Sequence, residues 1–179
     1  MRRLLDSLYR FGGFVSALQL IAIMVMIVLQ VLGRLIDLVL LAVGFDSLGL
    51  QVPGLAELAG FLLLGATFSG LAYTLSVGGH IRVDIVHRAM PASVQKGLDL
   101  LVTVMALAIT GYGTWYCALL AWDSYDFGDV SIGMVPVPLW IPQVVMVAGL
   151  VCLLIALLDA LVGLATGRIS HLKDEAPQE

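Results

Sequence analysis

Four runs of apolar residues, each long enough to cross a lipid bilayer, divide this chain at regular intervals. About 20 apolar residues in a helix cross the roughly 30 Å of hydrocarbon, and an isolated strand would leave its backbone polar groups unpaired in lipid. We therefore expect an all-α membrane protein that forms one domain, residues 1–179, with four transmembrane helices. The expected spans are about 14–41, 58–77, 98–122 and 137–165.

The overall composition indicates the same class of protein. Hydrophobic residues make up 60% of the chain and charged residues 12%, whereas about a quarter of a soluble domain is charged. Membrane lipids must surround most of the chain, because one small core could not hide this much apolar surface. The formal net charge of −4 argues against a nucleic-acid partner, which would need a basic face.

The basic N-terminus raises a choice between a cleaved signal peptide and an anchor. Arg2, Arg3 and Arg10 precede the first apolar run, and residues 42–44 form a weak small-x-small cleavage site. The apolar run, however, is about twice as long as the core of a signal peptide. We expect a first span that is not cleaved.

The distribution of Lys and Arg predicts the orientation of the chain. Eight of the nine basic residues lie on one side of the predicted spans: Arg2, Arg3, Arg10, Arg82, Arg88, Lys96, Arg168 and Lys173. The loops on the other side carry acidic residues instead, including Asp46 and Asp123. By the positive-inside rule, both termini are expected in the cytoplasm.

The two predicted outer connections differ in character. Residues 44–57 (GFDSLGLQVPGLAE) are too apolar for a free loop and too interrupted by Gly and Pro for a span, so we expect an interfacial segment between helices 1 and 2. Residues 134–143 (MVPVPLWIPQ) open the fourth span. Their prolines favour an extended approach, with the helix starting near Leu139.

Charged residues within or beside the spans lie near their ends. Arg34 is late in the first run, Asp37 follows three residues later, and Glu57 opens the second span at a similar depth. We expect Arg34 to pair with Asp37 or with Glu57. A path for a solute would need polar groups near the midplane, and the middles of spans two to four are apolar, so the chain is a poor candidate for a carrier by itself.

The second span carries a stripe of small residues. Gly65, Ser69, Ala72 and Ser76 are spaced four, three and four apart, so they share one face of a helix. Such stripes allow two helices to approach closely. The pattern does not distinguish packing within this chain from packing against another protein.

The stretch between the second and third spans, residues 76–93, is the densest polar cluster in the middle of the chain. His80, Asp84 and Arg88 follow at intervals of four, which predicts a short amphipathic helix at the inner interface. The spacing of its histidines does not favour a metal site. No nucleophile and base can be assembled either, so we expect no catalytic residues, no bound metal and no enzyme activity.

Several of these features together resemble one family. The sequence GGHIRVDIV (Gly78 to Val86), after a small-residue span, is similar to the signature of the small membrane (Q-type) subunit of tripartite ATP-independent periplasmic (TRAP) transporters. A polar QVLGR late in the first span (Gln30 to Arg34), Glu57 at the start of the second, and PLWIP at the start of the fourth also agree. The likeness extends over essentially the whole chain.

This resemblance implies a partner and a role. Members of the family are four-helix inner-membrane proteins of bacteria that bind a large multispan permease subunit. A periplasmic substrate-binding protein delivers an organic acid to the pair, and sodium, held by the large subunit, drives import. The small subunit would act as a scaffold, bind no cofactor of its own, and use His80, Arg82 and Asp84 as structural or interface residues.

The resemblance also bears on Arg34 and Glu57, which would make polar contacts within the subunit or with the large one. The polar C-terminal tail leads us to expect that the chain is not fused to the large subunit. Two other classes remain open. A membrane anchor of a respiratory or redox complex predicts histidines at helix depth, and an independent small exporter predicts a buried mid-span carboxylate.

Overall fold

Four long helices make up the computed structural model, which describes residues 2–77 and 91–166. In chain order they are α1 (Arg2–Val43), α2 (Leu55–Ser76), α3 (Ala92–Asp126) and α4 (Trp140–Ala165). Each contains a stretch that is long and apolar enough to cross a membrane. The predicted all-α fold with four membrane-spanning helices is confirmed, while the orientation of the termini stays a prediction.

Two of the helices are much longer than the spans expected from the sequence. α1 has 42 residues and α3 has 35, which corresponds to about 63 and about 52 Å at 1.5 Å per residue. α2 and α4, with 22 and 26 residues, are close to one bilayer thickness. The difference arises because hydropathy reports where lipid surrounds the chain, whereas helical hydrogen bonding continues into polar sequence beyond it.

The helices pack in the order α1–α2–α4–α3, so that α2 and α4 lie in the middle and α1 and α3 form the two edges. Small residues explain why the middle pair approaches closely. Ala72 of α2 and Gly149 and Ala156 of α4 are buried where these two helices meet. Because these side chains are short, the two backbones can approach each other without leaving a gap.

The seam between α2 and α4 is tight along its length. Gly149 lies directly against the backbone carbonyl of Phe68, so that a Cβ at position 149 would overlap it. Further along, Ala72 and Ala156 pack with Tyr9 of α1 in a small buried cluster. Three helices therefore meet at this point, which ties α1 to the middle pair.

The connection from α3 to α4, residues 127–139, forms a short hairpin loop. Val130 and Pro138 make an antiparallel bridge, and the N–H of Ser131 donates to the carbonyl of Val137 at 2.9 Å. α4 then begins at Trp140, one residue after the predicted start. Gly54, just before α2, lies against Val135 in this loop, so both described connections lie at one end of the bundle, called the loop end below.

The connection from α1 to α2, residues 44–54, folds back along α1. The N–H of Leu48 donates to Oδ1 of Asp37 at 2.8 Å, and the N–H of Val52 donates to Oε1 of Gln30 at 2.7 Å. Between these two bonds, the carbonyl of Leu50 lies against Gly33, where a Cβ would overlap it. The depth expected for this segment, at the interface, stays a prediction. The structure adds that it is held on the surface of α1.

Candidate functional site

Arg34 and Asp37 do not form the expected ion pair in the part of the chain that the structure describes. Asp37 is only 8% exposed, because the folded-back segment covers it and its carboxylate accepts the hydrogen bond from Leu48. Arg34, one turn before Asp37 on the same side of α1, is exposed. The guanidinium group is thus left facing the surroundings, where it can meet lipid headgroups or another protein.

Glu57 is likewise not paired with Arg34 within the described ranges. It lies in the first turn of α2, where the partial positive charge of a helix N-terminus favours a carboxylate. Its carboxylate touches the backbone of Gly133 in the hairpin loop, and any side chain at that position would overlap it. Glu57 therefore lies at the junction between the start of α2 and the loop that leads into α4.

The small-residue stripe of α2 divides between two neighbours. The backbone carbonyl of Ser69 lies against Gly12 of α1, and Gly65 receives the Gln19 side chain. Ala72 is 2% exposed between α1 and α4. Ser76 is exposed and bonds only to its own helix, donating to the carbonyl of Tyr73 at 2.7 Å. Three of the four stripe residues thus line seams within the chain.

A polar seam joins α1 to α2 in the interior of the bundle. The hydroxyl of Ser16 donates to the carbonyl of Ala66 at 2.7 Å, and the hydroxyl of Ser69 donates to Oε1 of Gln19 at 3.4 Å. The amide of Gln19 occupies the notch left by Gly65. These polar groups satisfy one another across the seam, which is the arrangement expected of structural hydrogen bonds between membrane helices.

Two buried polar atoms lack a hydrogen-bond partner among the described residues: the hydroxyl of Tyr9 and Oε1 of Gln143. They lie far apart, because Tyr9 packs against Ala72 and Ala156 while Gln143 follows the first turn of α4 at the loop end. The hydroxyl of Tyr9 lies near the carboxylates of Asp6 and Asp159.

The outer faces of the edge helices are strongly apolar. Along α3, the exposed aromatic side chains Trp115, Trp122 and Tyr125 lie toward the loop end, and the ring of Tyr125 meets Trp140 edge-on at 5.7 Å. Such residues are typical of the boundary between hydrocarbon and headgroups. They mark the level at which α3 ends and α4 begins.

His80, Arg82 and Asp84 lie outside the described residues, so their predicted interface role stays a prediction. The sequence did not lead us to predict the polar seam, because Ser16 and Gln19 are uncharged and their face of the first span was not compared with that of the second. A usable signal was present, since Gly12, Ser16 and Gln19 share one face of α1 and could have been matched to the small-residue stripe of α2.

Comparison with known sequences identifies one protein family whose model matches most of the chain. A family model described as "Tripartite ATP-independent periplasmic transporters, DctQ component" matches residues 23–167. This range includes the second half of α1, all of the other three helices and both described connections.

One curated relative agrees with that family. The ectoine TRAP transporter small permease protein TeaB of Halomonas elongata is 23% identical over 112 residues. The alignment covers 60% of this chain and 58% of the relative, so the chain spans less than two thirds of the relative's length. No solved structure matches the chain.

Proposed function

Because this multi-pass membrane protein belongs to the DctQ family of TRAP transporters, we propose that it is the small, non-transporting subunit of a TRAP importer in a bacterial inner membrane. Its partner is a large multispan permease subunit, to which a periplasmic binding protein delivers an organic acid. The family match over residues 23–167 carries this proposal.

The described helices support a bracing role. Polar side chains between α1 and α2 form hydrogen bonds across that seam, as the bond from Ser16 to Ala66 illustrates, and Ala72, Gly149 and Ala156 pack where α2 meets α4. Meanwhile the edge helices leave most of their apolar side chains exposed. Such a unit offers broad surfaces to a neighbour and to lipid, while transport is assigned to the partner.

Substrate and coupling ion belong to the assembled system. We propose a carboxylate substrate and sodium coupling, with sodium bound by the large subunit. The TeaB relative is named for an ectoine transporter, so an organic solute of that kind is a reasonable first substrate to test. The family match favours a transporter subunit over a membrane anchor of a respiratory or redox complex.

The proposal is tested by purification and reconstitution. The chain, tagged at its C-terminus, should co-purify with a large multispan permease subunit. Liposomes with both subunits and the binding protein should take up solute when a sodium gradient is applied, and liposomes with this chain alone should not. Uptake by this chain alone, or purification without the large subunit, would contradict the proposal.

The stretch from residue 78 to 90 is proposed to take part in assembly. Replacing Arg82 or Asp84 with Ala should lower the yield of co-purified large subunit, because each change removes a charge from the family signature. Lys96→Ala is the matched control, since Lys96 lies exposed in the first turns of α3, outside that signature. Equal yields from all three variants would show that the signature has no role in assembly.

A further inference from the structure

Three side chains with oxygen atoms meet at the end of the bundle opposite the loop end. Tyr9 of α1 packs with Ala156 of α4, and its hydroxyl is buried without a hydrogen-bond partner among the described residues. The charged groups that act on this hydroxyl are the carboxylates of Asp6 and Asp159. Tyr9 is only 4% exposed, whereas both aspartates are exposed. The hydroxyl thus lies beneath two carboxylates that are open to the surroundings, and the three residues are called the Tyr9 site below.

The register between α1 and α4 brings the two aspartates to the same level. α1 begins and α4 ends at this end of the bundle, so the two helices are antiparallel. Tyr9 of α1 meets Ala156 of α4. One turn back along α1 leads to Asp6, and one turn on along α4 leads to Asp159. Because packed helices lie about 8–10 Å apart, the two carboxylates can reach a common point between them.

The hydroxyl of Tyr9 points to the same level. Long side chains of a helix lean toward its N-terminus, which carries the ring of Tyr9 from Ala156 toward Asp6. On α4, which runs the other way, the same rule tilts Asp159 back toward Tyr9. Two carboxylates and one hydroxyl therefore converge from both helices on the small area in which α1 touches α4.

The described part of the chain does not balance the charge of the Tyr9 site. Arg10, the basic residue next to Tyr9, is exposed and is not among the groups that act on the hydroxyl. Two like charges at one level disfavour each other, and a buried donor without a partner is unfavourable. A bound cation relieves both, because it neutralises the carboxylates and draws their oxygens together above the hydroxyl.

The chemistry of the donor atoms selects the class of cation. Carboxylate and hydroxyl oxygens suit hard cations such as Mg²⁺ and Ca²⁺. Within the described ranges, no group of three or more His, Cys, Asp or Glu side chains could hold a metal ion, which argues against a cage built from protein ligands alone. Mg²⁺ fits a smaller set, because it keeps several of its waters and is commonly bound by one or two carboxylates.

The Tyr9 site lies where a hydrated ion can reach it. Asp159 is about 28 Å along α4 from Trp140, which is close to the roughly 30 Å thickness of the hydrocarbon. Asp6 lies in the second turn of α1. With Trp140 at one boundary of the hydrocarbon, both carboxylates are therefore at the other boundary, where water and headgroups begin.

We propose that Asp6, Tyr9 and Asp159 form a binding site for a hydrated Mg²⁺ ion that links α1 to α4. The carboxylates bind the ion directly or through its waters. The hydroxyl of Tyr9 donates to a carboxylate oxygen and so orients it, as residues around metal ligands do. This departs from the sequence-based expectation of no bound metal, which rested on the spacing of histidines. The inference is independent of the proposed transport role.

Binding of Mn²⁺, a paramagnetic probe for Mg²⁺ sites, tests the proposal. The full chain in detergent is titrated with Mn²⁺, and free Mn²⁺ is followed by electron paramagnetic resonance. We expect a saturable site from which Mg²⁺ displaces Mn²⁺. Asp6→Asn and Asp159→Asn keep the shape of the side chain and remove its charge, so each should abolish this site. Asp46→Asn, which changes an exposed acid between α1 and α2, is the matched control and should retain it.

Tyr9→Phe separates the hydroxyl from the packing of the ring. The ring still packs with Ala156, and the loss of the donor should weaken Mn²⁺ binding about tenfold, as changes around metal ligands do. Thermal unfolding gives a second readout. Mg²⁺ should raise the Tm of the wild type and leave that of Asp159→Asn unchanged, because a ligand that binds only the folded state stabilises it.

The outcomes that would overturn the proposal are distinct. Mn²⁺ binding that is absent from the wild type, that Mg²⁺ does not displace, or that is equal in the wild type and both Asn variants overturns it. If an Asn variant does not fold, Tyr9→Phe decides, and an affinity equal to that of the wild type counts against the site. The proposed function stands in each of these cases, because co-purification and uptake are measured separately.

Discussion

At the scale of single residues, glycines decide how closely these helices approach. Gly149 and Gly12 each lie against a backbone carbonyl of α2, which cannot move aside as a flexible side chain can. Gly65 differs, because it is covered by the movable amide of Gln19. Gly113 of α3 has nothing within 4 Å of the place where a Cβ would lie. Replacing glycine with alanine should thus change the stability of the protein by different amounts at these positions.

Gly149→Ala should destabilise the protein. The new methyl group would overlap the backbone of Phe68 and force α2 and α4 apart, a type of overpacking that costs about 1–3 kcal/mol. Thermal unfolding in detergent should show a lower Tm. The control, Gly113→Ala, should leave Tm unchanged or raise it, because Ala favours a helix by about 1 kcal/mol over Gly. Equal effects of the two variants would contradict the tight α2–α4 seam.

Asp37→Ala should release the folded-back segment. It removes the carboxylate that accepts the part-buried hydrogen bond from the N–H of Leu48, and a hydrogen bond to a charged group contributes about 1.5–3 kcal/mol. Chymotrypsin should then cleave faster near Phe45. Asp37→Asn keeps an acceptor oxygen and should resist cleavage like the wild type, and Asp46→Ala changes an exposed acid only. Fast cleavage of Asp37→Asn would show that the charge, not the hydrogen bond, holds the segment.

At the scale of elements, the register between α1 and α2 depends on a few polar and small residues. The Ser16 hydroxyl bonds to the Ala66 carbonyl, and Gln19 fills the notch at Gly65. Hydrogen bonds between membrane helices contribute only about 0.6 kcal/mol on average, so the register depends more on the close fit than on any one bond. A geometric test is more decisive than a measurement of stability.

Ser16→Cys combined with Gly70→Cys should form a disulfide on mild oxidation, in the background without Cys117 and Cys152. A Cβ at Gly70 lies 3.4 Å from Cβ of Ser16, close to the spacing of about 3.5–4.5 Å in disulfides. The bond can be followed by mass spectrometry of digested protein.

The control for this pair joins Ser16→Cys to Gly60→Cys, ten residues toward the loop end, where nothing lies within 4 Å. This pair should stay reduced. Oxidation of the control pair but not of the Gly70 pair would mean that α1 and α2 are aligned in a different register.

At the scale of the whole molecule, the helices form an open row with α1 and α3 at its edges. This arrangement leaves much of the apolar surface to lipid and to partners, in contrast to a closed bundle that buries its own core. The loop end carries acidic groups such as Asp123, Asp126 and Asp129, whereas Arg10 and Lys96 lie near the opposite ends of α1 and α3. Charge and architecture together predict that the loop end faces the periplasm.

Labelling of single cysteines in intact cells tests this orientation. Ile132→Cys, at the fully exposed tip of the hairpin loop, should react with an impermeant maleimide added outside once the outer membrane is opened. Lys96→Cys, near the opposite end of α3, should react only after the inner membrane is permeabilised. The reverse pattern would place the termini in the periplasm and refute the positive-inside assignment.

The sequence by itself determined the number of helices, their lipid surroundings and the family, because hydropathy and motif are properties of the residues in order. The sequence could not predict in the same way that Arg34 and Asp37 do not form an ion pair. Asp37 instead accepts a hydrogen bond from the backbone N–H of Leu48, eleven residues later. Only the tertiary structure decided that α2 lies between α1 and α4 and that Gln19 fills the notch at Gly65. These features depend on which faces of the helices meet, and that choice is set by how well two surfaces fit each other.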